Sequence, residues 1–313
     1  MSEFAERPIG TRPRAPWPAA TTAIAGLVGF PVGHSLSPLL QNAAFAAMDL
    51  DWCYVAFEVL PGSLDSAVAG AAALGLRGLS VTMPHKAAAA RLATRHSRQV
   101  RRLGAANTLI FQGGAVLAES CDGDGLLDDL REGAGFDPAG RRCGVIGAGG
   151  AGRATVLALA EAGAAEVVIV NRTAAPAWRS AALAPKVARV GRPEELSGMD
   201  LVVQATPVAM ANFGGAREEA TAQPGEEATA VIAGVDPSRF GAGQLVVDLV
   251  YDPPLTPFLL EARRHGASVR NGIGMLVHQA GRQIRLWTEA EPPLSAMWAA
   301  VGVEPGGART GQL

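Results

Sequence analysis

The most legible chemistry in this sequence is a run of glycines. Gly147-Ala148-Gly149-Gly150-Ala151-Gly152 follows an apolar stretch and precedes an alanine-rich one, with the G-x-G-x-x-G spacing at Gly147, Gly149 and Gly152. In such a motif the first glycine permits a tight turn. The second lets the backbone approach a pyrophosphate, and the third lets a helix pack close on a strand. The helix that opens there presents unpaired N–H groups and a partial positive charge to phosphates. A bare glycine match is a weak signal, and its context strengthens it. The next apolar strand ends at Val170 and is followed by Asn171-Arg172-Thr173. A site for NAD would usually place a carboxylate there for the ribose hydroxyls. Arg172 offers instead a fork of donors suited to a phosphate dianion, so the loop predicts NADP. Read blandly, the same arginine is a solvated loop residue.

Those residues need strands and helices to hold them, and the chain alternates the two. Ile24 to Phe30 reads as a strand closed by Pro31 and Gly33. Ser37 as N-cap and Pro38 in the first helical position open a helix through Leu40, Ala43, Ala44 and Ala47. Trp52 to Val59 is a strand, Leu64 to Leu74 a helix and Gly78 to Met83 a strand; Pro84 starts a helix through Ala87 to Ala93. Asn107 to Ala118 reads as a hairpin turning at Gly113-Gly114. Asp122, Gly123, Asp124 and Gly125 precede a new helix. A second alternating unit has strands at Cys143 to Ile146, Val167 to Val170, Leu201 to Ala205 and Leu245 to Leu249, with a helix at Ala151 to Ala162. Asn212 to Gly243 is polar and loop-like, and helical patterning returns from Gly274 to Trp287 and from Leu294 to Val301. The pattern predicts an α/β protein of two α/β domains, the first with a mainly parallel sheet and the second Rossmann-like, with a cleft between them. Residues 22–122, completed by 274–302, form the first domain and 123–273 the second, with a disordered leader at 1–21 and a disordered tail at 303–313.

Composition narrows the function classes. The 313 residues are 49% hydrophobic and 18% charged with a net charge of -2, so no electrostatic footprint for nucleic acid is present. No apolar run approaches the roughly 20 residues of a membrane span, and the start of the chain lacks the apolar core of a secretory signal. Cys53, Cys121 and Cys143 are odd in number and fit no disulfide or zinc pattern, which predicts reduced thiols in a cytoplasmic protein. His34, His85 and His278 lack metal-ligand spacing, and His85 reads as a plain, partly exposed histidine.

Three further segments precede the glycine run: His34-Ser35-Leu36-Ser37-Pro38, Ser80-Val81-Thr82-Met83-Pro84-His85-Lys86, and Ala106-Asn107-Thr108. A fourth, Gly274-Met275-Leu276-Val277-His278-Gln279-Ala280, follows it. Together, and in this order, they resemble the hallmark segments of the shikimate dehydrogenase (shikimate/quinate dehydrogenase) family over roughly Ile24 to Ala300. The resemblance implies reversible NADP(H)-dependent reduction of 3-dehydroshikimate to shikimate in aromatic amino acid biosynthesis. The first domain would then bind substrate and the second NADP, in a monomer or homodimer with no nucleic-acid or membrane partner. It implies Lys86 and Asp122 as the catalytic pair. An ammonium there stabilises developing negative charge at oxygen and relays a proton, and a carboxylate positions it. It implies Ser35, Ser37, Thr82, Asn107, Tyr251 and Gln279 as substrate contacts, neutral groups suited to a carboxylate and ring hydroxyls. It adds Thr206, Gly272 and Met275 to the cofactor set of Gly147 to Gly152 and Asn171 to Thr173.

The sequence departs from the family in three places. Ser120-Cys121 stand where Asn-Thr usually precedes the catalytic aspartate, and a thiol is a poor substitute for the threonine hydroxyl. The Asn-Ala-Thr-Pro-x-Gly-Met loop is Gln204-Ala205-Thr206-Pro207-Val208-Ala209-Met210, and a family arginine is replaced by Pro176. Two alternatives therefore stay open beside shikimate dehydrogenase: a quinate/shikimate or aminoshikimate dehydrogenase, and a non-catalytic nucleotide- or substrate-binding sensor.

Overall fold

The computed structural model describes residues 18–208, 210 and 230–304. Within them the chain divides into two compact units. One comprises the described residues up to Cys121 together with Ala280–Glu304, and the other Asp122–Gln279. The proposed leader and tail fall, apart from residues 18–21 and 303–304, outside the described residues. No helix among the described residues is long and apolar enough to cross a membrane.

The first unit starts with β1 (Ala23–Gly29), α1 (Ser37–Ala47), β2 (Trp52–Glu58), α2 (Leu64–Ala73), β3 (Gly78–Val81) and α3 (Lys86–Leu92). It continues through β4 (Arg95–His96), α4 (Arg98–Leu103), β5 (Thr108–Gln112) and β6 (Ala115–Glu119). Its sheet has the order β2-β1-β3-β5-β6-β4. β1 pairs in parallel with β2 and β3, and β4 with β6, while β5 runs antiparallel to both of its neighbours. The predicted hairpin forms as read: Gly113 and Gly114 both take positive φ, 55° and 75°, which a two-residue turn of this kind demands. Val28, Leu79, Val81 and Leu109 project from the sheet into a core with Val68 of α2 and Ala89 of α3.

In the second unit come α5 (Asp122–Asp128), β7 (Arg142–Ile146), α6 (Gly150–Glu161), β8 (Glu166–Val170), α7 (Ala174–Ala181), β9 (Ala188–Val190) and β10 (Leu201–Gln204). β11 (Leu245–Asp248), α8 (Pro257–Arg264), β12 (Ser268–Asn271) and α9 (Ile273–Thr288) follow; α9 belongs to this unit as far as Gln279 and to the first from Ala280, as does α10 (Leu294–Ala300). The sheet order is β12-β11-β10-β7-β8-β9 and every pairing is parallel. Alternate residues of its strands feed two cores. Val145, Ile169, Val203 and Val247 join one, with Leu126 and Leu159 of the helices. Ile146, Val168, Val202 and Val246 join the other, with Phe258 of α8. A strand buried on both faces reads as a continuous apolar run, which is why these four strands are legible in the sequence.

Several local expectations need correction. Ser37 is the first residue of α1 and not its cap; Leu36 takes the cap position, and Ser35 Oγ accepts the Ser37 N–H at 3.2 Å. The third helix begins at Lys86 and not at Pro84, which lies in a turn closed by the His85 N–H on the Thr82 carbonyl. Asp122 to Gly125 do not precede a helix but form the first turn of α5, where carboxylates suit the positive end of the helix dipole. Of the stretch 212–243, residues 212–229 lie outside the described residues. The remainder is packed and not loop-like: Ile232, Val235 and Phe240 are buried in the core beside Phe258, and a short 3-10 turn spans Pro237–Arg239.

Candidate active site

In the first unit the implicated residues gather at one end of the sheet, where β1 and β3 finish and β5 begins. The Thr82 N–H donates to Val28 O, the Val81 N–H to Asn107 O and the Ala106 N–H to Lys86 O. These backbone bonds place Thr82, Lys86 and Asn107 on three adjoining chain segments. The approach is close: a Cβ on Gly29 would stand 2.3 Å from Thr82 Cγ2 and 2.8 Å from Val32 Cγ1, so only glycine lets β1 run beneath this corner. Ser35 and Ser37 enter from the turn leading into α1. Lys86 is half-buried in the first position of α3. His85 beside it is buried, with Nε2 2.7 Å from Val59 O, and so is a packing residue and not the partly exposed histidine expected.

Asn107 is 2% exposed and tightly held. Its Oδ1 accepts the Cys121 N–H at 2.8 Å and the Thr108 hydroxyl at 2.8 Å. Behind it runs a buried chain that sequence reasoning missed. Tyr54 OH donates to Ser80 Oγ at 2.7 Å, and Ser80 Oγ to Gln283 Oε1 at 2.8 Å. Gln283 Nε2 donates to Thr108 Oγ1 at 3.0 Å, and Gln41 Nε2 to Gln283 Oε1 at 3.3 Å. The available signal was Gln283 standing one helical turn after Gln279 on α9. Burial pushes the Tyr54 hydroxyl pKa upward, so it stays protonated as a donor. Cys121, at the position where the family carries a threonine, sets its Sγ 3.6 Å from the Thr108 hydroxyl, whose hydrogen goes to Asn107.

In the second unit the glycine loop joins β7 to α6. Gly147 has φ +103°, and a Cβ on Gly152 would lie 2.1 Å from Gly147 O. Gly149 has ordinary φ, and a Cβ there would meet no protein atom within 4 Å. The first and third glycines therefore serve the chain itself, and the second leaves room for something else. That is the arrangement a pyrophosphate requires, with Gly150 and Ala151 opening the helix. Asn171 clips this loop to the end of β8: its Oδ1 accepts the Ala148 N–H at 3.1 Å, and its Nδ2 donates to Thr173 O and Oγ1 at 2.8 and 3.1 Å. Arg172 and Thr173 are exposed, and no acidic residue stands among these three.

Thr206 packs on the same loop, with its Cγ2 2.8 Å from a Cβ on Gly147. The unusual Gln204 has a clear role there. Its Oε1 accepts the Thr206 N–H at 2.5 Å, while its Nε2 reaches Thr206 O at 3.0 Å and Asp248 Oδ1 at 3.1 Å. Asp248 is wholly buried and also accepts the Val250 N–H and the Thr256 hydroxyl. Burial pushes its pKa up to about 6 despite those donors. Ala209 lies outside the described residues. Gly272 must be glycine, since a Cβ would stand 2.0 Å from Leu249 O, and Met275 belongs to the core. Tyr251 follows the same crossing and is half-buried. Asp122 is 4% exposed at the start of α5. One turn on, Gly125 abuts the backbone of Gln279, which sets Asp122 and Gln279 on neighbouring helices. Behind them the buried Asp129 accepts from Arg270 at 2.6 Å.

Comparison with known proteins agrees with this geometry. Residues 27–109 match the family described as "Shikimate dehydrogenase substrate binding domain". Residues 133–222 match "Shikimate / quinate 5-dehydrogenase", and 272–301 "Shikimate 5'-dehydrogenase C-terminal domain". The chain is 43% identical over 276 residues to a shikimate dehydrogenase (NADP(+)) of Geobacter metallireducens, covering 88% of this chain and 94% of the relative. It is 41% identical to that of Methanopyrus kandleri, covering 90% and 96%. The solved shikimate 5-dehydrogenase of Thermus thermophilus in complex with NADP(H) and shikimate has a TM-score of 0.75 and 33% identity, covering 89% of this chain and 98% of that one. With such identity to curated relatives over nearly the whole of both chains, this chain belongs to the shikimate dehydrogenase family.

Proposed function

We propose that this chain is an NADP-dependent shikimate dehydrogenase, reducing the ring ketone of 3-dehydroshikimate and oxidising shikimate in reverse. The observation that carries the reading is the gathering of Ser35, Ser37, Thr82, Lys86 and Asn107 at one end of the first sheet, in a chain whose other sheet presents a dinucleotide loop. In this reading the first unit binds the substrate and the second NADP, in a cytoplasmic monomer or homodimer.

The bound reduced nicotinamide supplies the hydride. Lys86 supplies the proton: its ammonium stabilises the negative charge that develops on the former ketone oxygen and protonates it. Asp122 is the carboxylate partner in that proton exchange. The Ser35 and Ser37 hydroxyls hold the substrate carboxylate without a formal cation. Thr82, Asn107, Tyr251 and Gln279 read the ring hydroxyls, and a site built to hydrogen-bond a hydroxyl rejects analogues that lack it. Gly147 to Gly152, Asn171 to Thr173, Thr206, Gly272 and Met275 form the cofactor surface, Asn171 by clipping loops together and Met275 from the core side.

Nicotinamide absorbance of the purified chain, with shikimate and quinate each crossed with NADP and NAD, tests the reading. Turnover is expected mainly with shikimate and NADP. Dominant turnover with quinate would move the chain to the neighbouring specificity. Binding without turnover in every pair would make it a sensor.

A further inference from the structure

In the second unit's sheet two polar side chains stand where the fold alone would take apolar ones. β10 reads Leu201-Val202-Val203-Gln204 and β11 reads Leu245-Val246-Val247-Asp248. Each strand ends on its one polar residue, and the two are register partners in the parallel pairing. The neighbouring strands β7 and β8 end on Ile146 and Val170. Gln204 and Asp248 are both wholly buried. Burying a carboxyl is costly unless its partners offset the loss of water, and the donors to Asp248 are all neutral. Two apolar residues would fill the space without that cost, so the pair calls for a role.

Both residues hold the chain that leaves the sheet after them. Gln204 takes Thr206 by both backbone groups: Oε1 accepts the Thr206 N–H at 2.5 Å, and Nε2 donates to Thr206 O at 3.0 Å. Thr206 lies against Gly147 of the glycine loop. Asp248 does similar work on the next strand. Its Oδ1 accepts the Val250 N–H at 3.0 Å, directly before Tyr251, and its Oδ2 accepts the Thr256 hydroxyl at 2.7 Å, at the cap of α8. Val250 O in turn accepts the Gly272 N–H at 3.2 Å. One hydrogen bond joins the two grips, from Gln204 Nε2 to Asp248 Oδ1 at 3.1 Å. A carboxyl oxygen has room for two donors, and this one holds Gln204 and Val250 together.

We propose that Gln204 and Asp248 are a positioning pair that ties the Thr206 loop to the Tyr251 turn, so that affinity for the dinucleotide and affinity for the substrate depend on one buried hydrogen bond. The proposal rests on the reading above, in which Thr206 meets NADP and Tyr251 meets shikimate. Neither side chain of the pair touches a ligand, because both are sealed at the strand ends. They act through the backbone of the loops they hold. Residues joined in one hydrogen-bond network lose their effect together and not separately, which gives the pair a signature that two independent loop anchors would lack.

The test is equilibrium binding to the full chain, to Gln204→Met, Asp248→Leu and Asp248→Asn, and to the double variant Gln204→Met with Asp248→Leu. NADPH is titrated by nicotinamide fluorescence, and shikimate by calorimetry, whose stoichiometry counts folded sites. Gln204→Met and Asp248→Leu are each expected to weaken both ligands about fivefold or more. The double variant should lose no more than about twice the larger single loss, because its second change finds the link already broken. Asp248→Asn, whose amide oxygen still accepts from Gln204 and Val250, should keep both affinities within about twofold. Loss of one ligand alone, losses that multiply in the double variant, or an Asp248→Asn as weak as Asp248→Leu would overturn the pair. Fewer sites at unchanged affinity would mark a purely structural role and overturn it too. Should the apolar variants fail to fold, Thr256→Val decides: it removes the donor to Asp248 Oδ2 and should weaken both ligands about twofold to threefold, and any other pattern overturns the proposal. A parent chain that binds neither ligand overturns the dehydrogenase reading, and this proposal with it. A parent that binds both, with variants that bind them equally well, overturns only the proposal.

Discussion

In the second unit the positions that matter around the proposed nucleotide loop are places where a side chain is missing. Gly152 lets α6 press on Gly147 O, Gly272 lets the chain cross Leu249 O, and Gly149 opens onto space. In the first unit the corresponding work falls to side chains. Asn107 is gripped by Thr108, and Thr108 by Gln283, which is itself held by Ser80 and Gln41. A phosphate is recognised by backbone N–H groups that any sequence can present, given room. A hydroxylated ring needs donors and acceptors at fixed points, and these must be buttressed from behind. The comparison teaches that the two sites should fail differently: the nucleotide loop by crowding, the side-chain corner by loosening.

The largest expected effect lies at the chemistry itself. Lys86→Ala should lower kcat by two to four orders of magnitude while NADPH affinity stays unchanged, as stopped-flow turnover and fluorescence titration will read out; about 10²–10⁴ is what a positioned acid–base group contributes. An undiminished kcat removes Lys86 from the reaction. Next come the two glycines, which separate room for a ligand from room for the fold. Gly149→Ala should leave thermal stability within about 0.5 kcal/mol yet weaken NADPH tenfold or more. Gly152→Ala should destabilise the fold by about 1–3 kcal/mol through overpacking. Undiminished NADPH affinity in Gly149→Ala would place the pyrophosphate elsewhere.

Gln283→Leu sharpens the other side of the comparison. It strands the Ser80 and Thr108 hydroxyls at about 1–3 kcal/mol each, readable by urea unfolding. It should raise KM for shikimate without altering NADPH affinity, and a matched loss of both would show general unfolding instead. The smallest effect concerns Asp248. Its folded pKa is raised from 3.8 to about 6, so the folded state keeps its proton longer than the unfolded chain. The contribution to stability is therefore fully present below about pH 4 and is lost as pH rises through 6, by at most about 3 kcal/mol. Asp248→Asn can still accept from Gln204 and Val250. The Tm of this variant relative to the parent should climb between pH 4 and 7. A pH-independent difference would mean that Asp248 does not titrate there.

The two regions also differed in how far they could be read from sequence. β7, β8, β10 and β11 are apolar runs buried on both sides and were plain. β9 and β12, the edges of the same sheet, are short and carry Arg189, Arg270 and Asn271, so no periodicity marked them. The glycine loop was legible because its first and third glycines answer local backbone demands and its spacing is a known signature. Lys86, Asn107 and the serine pair were legible only as a resemblance, since nothing in their spacing says that the ends of β1 and β3 meet the start of β5. Tyr54, Ser80, Gln41 and Gln283 were invisible because their partners are far along the chain.

The buried row behind Asn107 has a sense of direction. A backbone N–H can only give a proton, so Cys121 obliges Asn107 to turn its carboxamide oxygen inward. Gln283 gives a proton to Thr108, whose single hydrogen must then pass on to that same oxygen. From Tyr54 onward every arrow points one way, and the amide cannot flip without setting donor against donor. Asn107 is therefore an amide of fixed polarity, its oxygen committed to the protein. In the proposed reading the amide meets the substrate as a donor, which asks an oxygen for a lone pair whatever its proton.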